Sequence, residues 1–244
     1  MRIAVHLTPE KGLPKKGLSE MLHSIADSGY RNVEVTGIVD SSAEAFRNEL
    51  DEAGLNVVAF EVELHELSAR PEQIAKDARA LGAEWIVITP LYLDEFGDGW
   101  KLTGARLSKL AEQMRAEGFR VAYRNGKNDF VKDGDSTGLE NLLIGAGPAL
   151  DADLDLDTAQ KTGEGPVGWL KRLEGRAPLT HITYKHQAQD GAKSDSQNGW
   201  HDIVATADTT GVEWALVELE NKTDTLVEDA KSSHEFFKSL GFED

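Results

Sequence analysis

A repeated alternation constrains the fold of this chain more than any other feature. Short β-branched runs that end in polar or charged residues are each followed by a segment with helical periodicity, and the pair occurs eight times. The predicted strands are residues 3–8, 32–36, 56–64, 84–89, 120–125, 151–158, 179–185 and 214–220. The predicted helices are residues 18–28, 43–53, 72–81, 103–117, 137–144, 166–173, 203–209 and 226–240.

Strands that alternate with helices of this length pair in parallel, and eight such units match one closed (β/α)8 barrel, the TIM barrel. Several predicted helices also stop at a glycine, such as Gly54 or Gly82, where a left-handed cap residue is favoured. A doubly wound open sheet is the alternative, but nothing divides the chain into halves. The sequence therefore predicts a single barrel domain over residues 1–244, with its active site at the carboxyl ends of the strands.

Composition and charge narrow the partners of such a domain. Hydrophobic residues make up 40% of the chain, which is enough for a core, and no apolar run approaches the ~20 residues of a membrane span. The first residues, MRIAVHL, form a strand rather than a secretory signal, so we expect a cytoplasmic protein. A net charge of −17 argues against nucleic acid. We expect a small-molecule partner, no nucleic acid and no membrane, and the sequence leaves a homo-oligomer open.

Strand phase predicts which side chains face the barrel interior, because alternate residues point to opposite faces and the outer face must be apolar against the helices. In the sixth strand the apolar residues take the outer face, which turns three aspartates inward. The residues that this phase turns inward are His6, Thr8, Glu34, Thr36, Glu61, Arg124, Gly126, Asp153, Asp155, Asp157, His181, Thr183, Lys185, Glu218 and Glu220. Trp214 and Leu216 are expected beneath them.

So many ionisable groups do not belong in a packed barrel interior, where an unpaired charge costs several kcal/mol. Two explanations remain open. Either a divalent cation binds the carboxylates and a histidine, or the acids pair internally with Arg124 and Lys185. The chain has no cysteine, so thiolate ligands are excluded. The remaining ligands suit Mn2+, Mg2+, Co2+ or Zn2+, and the sequence does not choose among them.

Five segments resemble one known group of barrels in the order in which they occur along the chain. They are LGAEWIVITP, DGWKLTGARLSKLAEQMRAEGFRVAYRN, GPVGWLKRLEGRAPLTHITYKH, GVEWALVELEN and EFFKSLGF. Together they resemble the xylose isomerase-like barrel superfamily, in its sugar phosphate isomerase/epimerase branch. The resemblance spans essentially the whole chain, but it is specific for the superfamily and not for a substrate. It implies one divalent metal held by strands five to eight and proton transfer through an enediolate.

The resemblance also implies ligands. The histidine of the family's seventh-strand motif falls on His181 and the glutamate of its eighth-strand motif on Glu218, with Glu220 at the next acidic position. In the sixth strand, the spacing to the Gly-Pro-Val-x-Trp helix start matches Asp155, whereas the local Asp-Thr pair matches Asp157. The implied metal ligands are therefore Asp155 or Asp157, His181 and Glu218.

The third and fifth strands depart from the family pattern. Where many members read YHNHDFEF, this chain has Arg124 and Gly126 in place of both histidines and Asp129 in place of the later glutamate. The frequent SAH of the third strand becomes Ala-Phe-Glu, ending at Glu61. A guanidinium does not ligate a metal, so two arrangements stay open: a three-ligand metal site with Arg124 on the substrate, or a metal-free site that Arg124 and Lys185 hold together.

These residues give a working hypothesis of a sugar or keto-sugar isomerase or epimerase. The candidate catalytic residues are Glu218, as ligand and proton-transfer base, with Lys185 and Glu61. The candidate substrate-binding residues are Arg124, His6, Asn125, Trp100 and Glu220. Two alternatives use the same scaffold: a lyase or dehydratase of keto-sugars or keto-inositols, and a carbohydrate-binding barrel that has lost its metal and its catalysis.

Overall fold

The computed structural model describes residues 1–8, 15–38, 42–97, 99–184, 195–219 and 226–244. Within them the strands are β1 Arg2–Leu7, β2 Asn32–Thr36, β3 Asn56–Val62, β4 Trp85–Ile88, β5 Arg120–Arg124, β6 Lys132–Asp133, β7 Ser136–Thr137, β8 Asp151–Asp155, β9 Leu179–Tyr184 and β10 Trp214–Leu219. All but β6 and β7, which form a small hairpin, close into a parallel barrel in the order β1-β10-β9-β8-β5-β4-β3-β2. The predicted TIM barrel is confirmed, and the open sheet is excluded.

Helices surround the barrel in the predicted alternation. They are α1 Lys15–Asp27, α2 Ala43–Ala53, α3 Leu64–Ala69, α4 Pro71–Leu81, α5 Trp100–Ala116, α6 Gly138–Ala146, α7 Leu156–Gln160, α8 Gly165–Arg172, α9 Asp195–Thr210 and α10 Leu226–Ser239. Short 3-10 helices cover Leu93–Phe96 and Gly147–Ala149. None of the described helices has the length and apolarity that a membrane crossing requires.

Two predicted strands are too long. The third ends at Val62, and the added helix α3 follows it. The sixth ends at Asp155, and its last predicted residues form α7. The cause is local capping: the carboxylate of Asp155 accepts a hydrogen bond from the backbone N–H of Thr158 at 2.7 Å, which starts a helix where hydrophobic alternation predicts more strand. The prediction that Asp157 is an inward-facing strand residue is therefore wrong, because Asp157 lies in α7.

Apolar residues fill the lower part of the barrel. This inner cluster consists of Ala4, Val58, Ala59, Trp85, Val87, Ala122, Leu179, Trp214 and Leu216. A second and larger cluster lies between the strands and the helices, and it contains Phe60 and Val62 of β3. The predicted lower-core positions of Trp214 and Leu216 are thus confirmed. The polar side chains of the strand ends lie above this apolar floor.

Helices α5 and α6 pack closely beside the strand that carries Arg124. A Cβ atom on Gly104 of α5 would lie 2.0 Å from the carbonyl oxygen of Leu142, and one on Gly145 of α6 would lie 2.0 Å from that of Lys101. These glycines let the two backbones touch. The contact depends on the absence of side chains at both positions.

We predict that Gly104→Ala lowers the free energy of unfolding by at least about 2 kcal/mol, because the new methyl group must push two packed helices apart. The measurement is urea denaturation followed by circular dichroism. Gly163→Ala is the control, since a Cβ there meets nothing within 4 Å. We expect it to change stability by less than about 0.5 kcal/mol. Equal stabilities of the two variants would contradict the close packing.

Candidate functional site

Barrel closure brings the predicted polar residues together at the carboxyl end. The strand ladders place His6 beside both Glu218 and Glu34, and Asp155 beside His181. Further ladders pair Thr36 with Glu61, Arg124 with Asp153 and Glu218 with Thr183. Neighbours in a parallel ladder end at the same edge of the barrel, so residues far apart in sequence share one site.

The guanidinium of Arg124 lies between three carboxylates. Its Nη1 donates to Glu61 Oε1 at 3.2 Å, and its Nη2 donates to Glu218 Oε2 at 2.9 Å. Asp155 Oδ2 lies 3.7 Å from Nη2, at ion-pair distance. The Arg124 side chain is 13% exposed, whereas that of Glu218 is 42% exposed. Arg124 is thus a mostly buried cation with one carboxylate partner, Glu218, that is open to solvent.

The charge of Arg124 is maintained by its surroundings. Burial alone would lower its pKa, but the nearby carboxylates, Glu61 first among them, raise it above the ordinary value. Burial likewise would raise the pKa of Glu61, but nearby positive charge, from His6 when it is protonated and from Arg124, holds that pKa below its ordinary value. Both groups are therefore ionised at neutral pH.

A chain of hydrogen bonds runs beneath this cation. The Thr36 hydroxyl donates to Glu61 Oε2 at 2.7 Å, and its oxygen lies 2.6 Å from His6 Nε2. His6 Nδ1 lies 2.9 Å from His181 Nε2, and His181 Nδ1 lies 2.7 Å from Asp153 Oδ2. The chain therefore connects Asp153 to Glu61 across the barrel. All five residues are buried or nearly so.

The two histidines of this series of hydrogen bonds, His6 and His181, differ in charge. Burial lowers the pKa of His181, but Asp153 and Glu34 more than reverse this and raise it to about 10. Burial is also the largest effect on His6, and its pKa is lowered. At neutral pH, His181 is therefore an imidazolium and His6 is neutral.

Glu34 is the least satisfied acid of the site. It is 0% exposed, and its Oε2 lies 3.0 Å from His181 Nε2 and 3.6 Å from His6 Nδ1. Neither of its oxygens accepts a hydrogen bond of good geometry from the described residues. Sequence reasoning places Glu34 inward but gives it no ligand or catalytic role. The sequence signal that could have identified Glu34 as a site residue is its strand position: like His6 on the neighbouring strand, it faces the barrel interior.

The four implied metal ligands are not gathered around one point. Both ring nitrogens of His181 face other groups, and Glu218 accepts from Arg124. The Asp155 carboxylate caps α7, and Asp157 Oδ2 accepts from the backbone N–H of Thr183 at 2.8 Å. A divalent ion shared by Asp155, His181 and Glu218 does not fit this arrangement, because the Arg124 guanidinium lies between two of the three.

The remaining candidate residues that the structure describes, Asn125 and Trp100, make contacts that support the fold. Asn125 is 1% exposed, and its Oδ1 accepts from the backbone N–H of Asp155 at 3.0 Å, which joins the ends of β5 and β8. Trp100 begins α5 and packs against Phe96, with ring centroids 4.0 Å apart. This matches a helix-start anchor. Lys185 and Glu220 lie outside the described residues.

The chain is similar in fold to several proteins of known structure. No protein-family model and no curated protein sequence matches the chain. Among solved structures, a sugar phosphate isomerase/epimerase from Parabacteroides distasonis ATCC 8503 matches with a TM-score of 0.75 at 18% identity, over 99% of this chain and 95% of that one. D-psicose 3-epimerase from Clostridium cellulolyticum H10 matches with a TM-score of 0.73 at 11% identity, over 100% of both chains.

A probable 3-DHS dehydratase from Bacillus anthracis also matches, with a TM-score of 0.65 at 14% identity, over 95% of this chain and 98% of that one. At these identities the likeness shows a shared fold. The structural neighbours do include sugar phosphate isomerase/epimerase and xylose isomerase-like barrel proteins, as the sequence resemblance implies. The presence of a dehydratase among them shows that the fold alone does not select a reaction.

A buried carboxylate holds the loop that follows β5. Asp129 is 1% exposed, and its Oδ2 accepts from the Tyr123 hydroxyl at 2.7 Å and from the backbone N–H of Gly126 at 2.9 Å. Burial raises the pKa of Asp129 from 3.8 to about 6, although both hydrogen bonds act in the opposite direction. The loop that starts at Arg124 is therefore anchored on a carboxyl group that titrates just below neutral pH.

We predict that this group makes the protein less stable as the pH rises from about 4 to 6. Because the folded state holds the Asp129 proton more tightly than the unfolded state does, its contribution is complete below the unfolded pKa and is lost through the folded pKa, by up to about 3 kcal/mol. Urea denaturation at pH 4 to 7 measures it. Asp129→Asn should remove this part of the pH dependence, while Asp135→Asn, an exposed aspartate of the same loop, should keep it. Parallel pH profiles of wild type and Asp129→Asn would contradict the prediction.

Proposed function

We propose that this chain is an isomerase or epimerase of small sugars or keto-sugars. It moves a proton next to a carbonyl group through an enediolate. One observation carries the proposal: Arg124 is a mostly buried, permanently charged donor that carboxylates contact on two sides at the carboxyl end of the barrel. Proton abstraction next to a carbonyl requires a base and a donor that stabilises the developing negative charge, and carboxylates beside a fixed donor can supply both.

Arg124 takes the electrophilic role in this mechanism. Its Nη2 is bound to the more exposed acid, Glu218, so a substrate oxygen can replace that carboxylate without disturbing the bond to Glu61. The guanidinium then stabilises negative charge on the substrate oxygen as the enediolate forms. No step depends on a metal held by Asp155, His181 and Glu218.

Glu218, once released from Arg124, is the base. Its carboxylate is 42% exposed, so a substrate can reach it from solvent, and Glu61 supplies a second carboxylate beside the guanidinium. Proton removal by one carboxylate and return at the neighbouring carbon, or on the opposite face, gives isomerisation or epimerisation. Lys185 and Glu220 are proposed to contact substrate hydroxyls, whereas both ring nitrogens of His6 are engaged by Thr36 and His181.

The charge around Arg124 favours a neutral substrate. The guanidinium already faces Glu61, Glu218 and Asp155, so a phosphate at this position would meet more negative than positive charge among the described residues. We therefore propose unphosphorylated ketoses and aldoses as substrates. A cytoplasmic location and a homo-oligomer remain predictions from the sequence.

The test is hydrogen exchange next to the carbonyl group. Wild type is incubated in D2O with a panel of ketoses, aldoses and their phosphate esters, and NMR follows loss of the C–H signal and formation of products. We predict exchange and isomerisation of at least one neutral sugar. Glu218→Gln should slow both by about 10²–10⁴-fold, because the base is removed while the side-chain shape is kept.

Glu213→Gln is a matched control. Glu213 pairs with Arg120 at 2.8 Å at the amino-terminal end of the same two strands, so this variant also removes one Arg–Glu pair but leaves the site untouched. We expect wild-type turnover from it. Exchange followed by loss of water would instead identify the dehydratase alternative, which starts with the same proton abstraction. Sugar-dependent thermal stabilisation with no exchange would identify a binding protein and overturn the enzyme proposal.

A further inference from the structure

Three buried ligand atoms converge on one point below Arg124. They are His6 Nδ1, Glu34 Oε2 and His181 Nε2. Among the described residues, these potential ligand atoms lie close enough to one another to share one metal ion. We propose that these three side chains bind one divalent transition-metal ion, Zn2+ by their donor set. This site uses strands β1, β2 and β9, and it shares only His181 with the ligand set that the sequence resemblance implies.

The spacing of the three atoms fits an ion. The pairs are 2.9, 3.0 and 3.6 Å apart. Ligands at about 2.0–2.1 Å from a tetrahedral ion are about 3.3–3.4 Å from one another, a value inside the observed range. The point equidistant from the three atoms lies about 1.9 Å from each, so an ion at ordinary bond length fits slightly out of their plane.

Outer hydrogen bonds direct both histidines toward this point. The single hydroxyl proton of Thr36 is donated to Glu61, so Thr36 Oγ1 accepts from His6 Nε2, and the lone pair of His6 is on Nδ1. Asp153 accepts from His181 Nδ1, which directs His181 Nε2 to the same place, and metal binding would release the proton that this nitrogen otherwise carries. A carboxylate or hydroxyl behind each ligating imidazole is the usual support of histidine metal sites.

Glu34 is a second sign that a cation belongs here, because the nearest counter-charge to its carboxylate among the described residues is the His181 imidazolium, which Asp153 shares. Glu34 is 0% exposed, and neither of its oxygens accepts a hydrogen bond of good geometry from the described residues. A carboxylate buried in this state costs several kcal/mol unless a positive charge compensates it. Its Oε2 nevertheless faces the two imidazole nitrogens at 3.0 and 3.6 Å.

The excess of negative charge around the three ligands also favours a bound cation. Within the described part of the chain, five carboxylates surround one guanidinium, that of Arg124, and His181 adds no more than one further positive charge. These carboxylates are Glu34, Glu61, Asp153, Asp155 and Glu218. A divalent cation would neutralise part of this excess without displacing Arg124.

The donor set selects the metal. Two imidazole nitrogens and one carboxylate oxygen suit Zn2+ and Co2+, whereas Mg2+ and Ca2+ prefer sites made of oxygen ligands. Three protein ligands leave the fourth tetrahedral position for water. The ion would hold His6, and through Thr36 it would fix Glu61 and Arg124, so its role is to position the residues above it. This inference does not depend on the proposed function.

Metal analysis of the full chain tests the site. Protein purified without chelator, or stripped and then dialysed against Zn2+, should hold about one ion per chain by mass spectrometry. Co2+ in its place should give the visible absorption of a tetrahedral site. Glu34→Gln and His6→Gln should each weaken Zn2+ binding by more than about 100-fold, and Asp153→Asn by about 10–100-fold, because it loses only outer support.

Asp155→Asn and Glu218→Gln are the matched controls, since both remove a carboxylate from the same barrel end but neither removes a ligand of the proposed site. Both should keep the ion. Circular dichroism and thermal melting confirm that each variant is folded, and the Co2+ spectrum of wild type is a readout that needs no variant. Loss of metal from Glu218→Gln with retention in Glu34→Gln would overturn the proposal. So would wild type that takes up neither Zn2+ nor Co2+.

Discussion

The carboxyl end of this barrel depends on the mostly buried positive charge of the Arg124 guanidinium. Glu61 is almost fully buried, and without a cation nearby it would be either neutral or strongly destabilising. Because Glu61 also accepts from Thr36, and Thr36 accepts from His6, the position of Arg124 bears on that of His6 beneath it. Guanidinium geometry suits this role, since separate N–H groups reach separate carboxylates.

Most of the fold could be predicted from the sequence, because the signals are local. Hydrophobic alternation and helical periodicity depend on residues a few positions apart, and eight such units leave few closed arrangements. Two strand ends could not be predicted from periodicity. At Asp155 a side-chain cap to Thr158 starts a helix although the hydrophobic alternation continues through Leu156. A pattern of hydrophobicity alone does not register a side-chain hydrogen bond to the backbone, so it predicts more strand.

The site could be predicted only in part. Strand phase correctly identifies Glu61, Arg124 and Glu218 as neighbours at one end, since phase is a property of each strand. It does not give the reach of a side chain across the barrel. The contact between His6 and His181 joins β1 to β9, which are not adjacent in the barrel, and it depends on closure of the whole sheet.

The two ends of the barrel use the same pair of residue types differently. At the amino-terminal end, Arg120 makes two 2.8 Å bonds to the carboxylate of Glu213 and a longer one, of 3.4 Å, to Glu84, and its guanidinium stacks 3.8 Å from the Trp85 ring. At the other end, Arg124 divides its bonds between Glu61 and Glu218. A doubled and stacked pair resists exchange, whereas a divided one can give up one partner to a ligand and keep the other. The difference between a structural and a reactive Arg–Glu pair therefore lies in how the bonds are shared and in which partner is open to solvent.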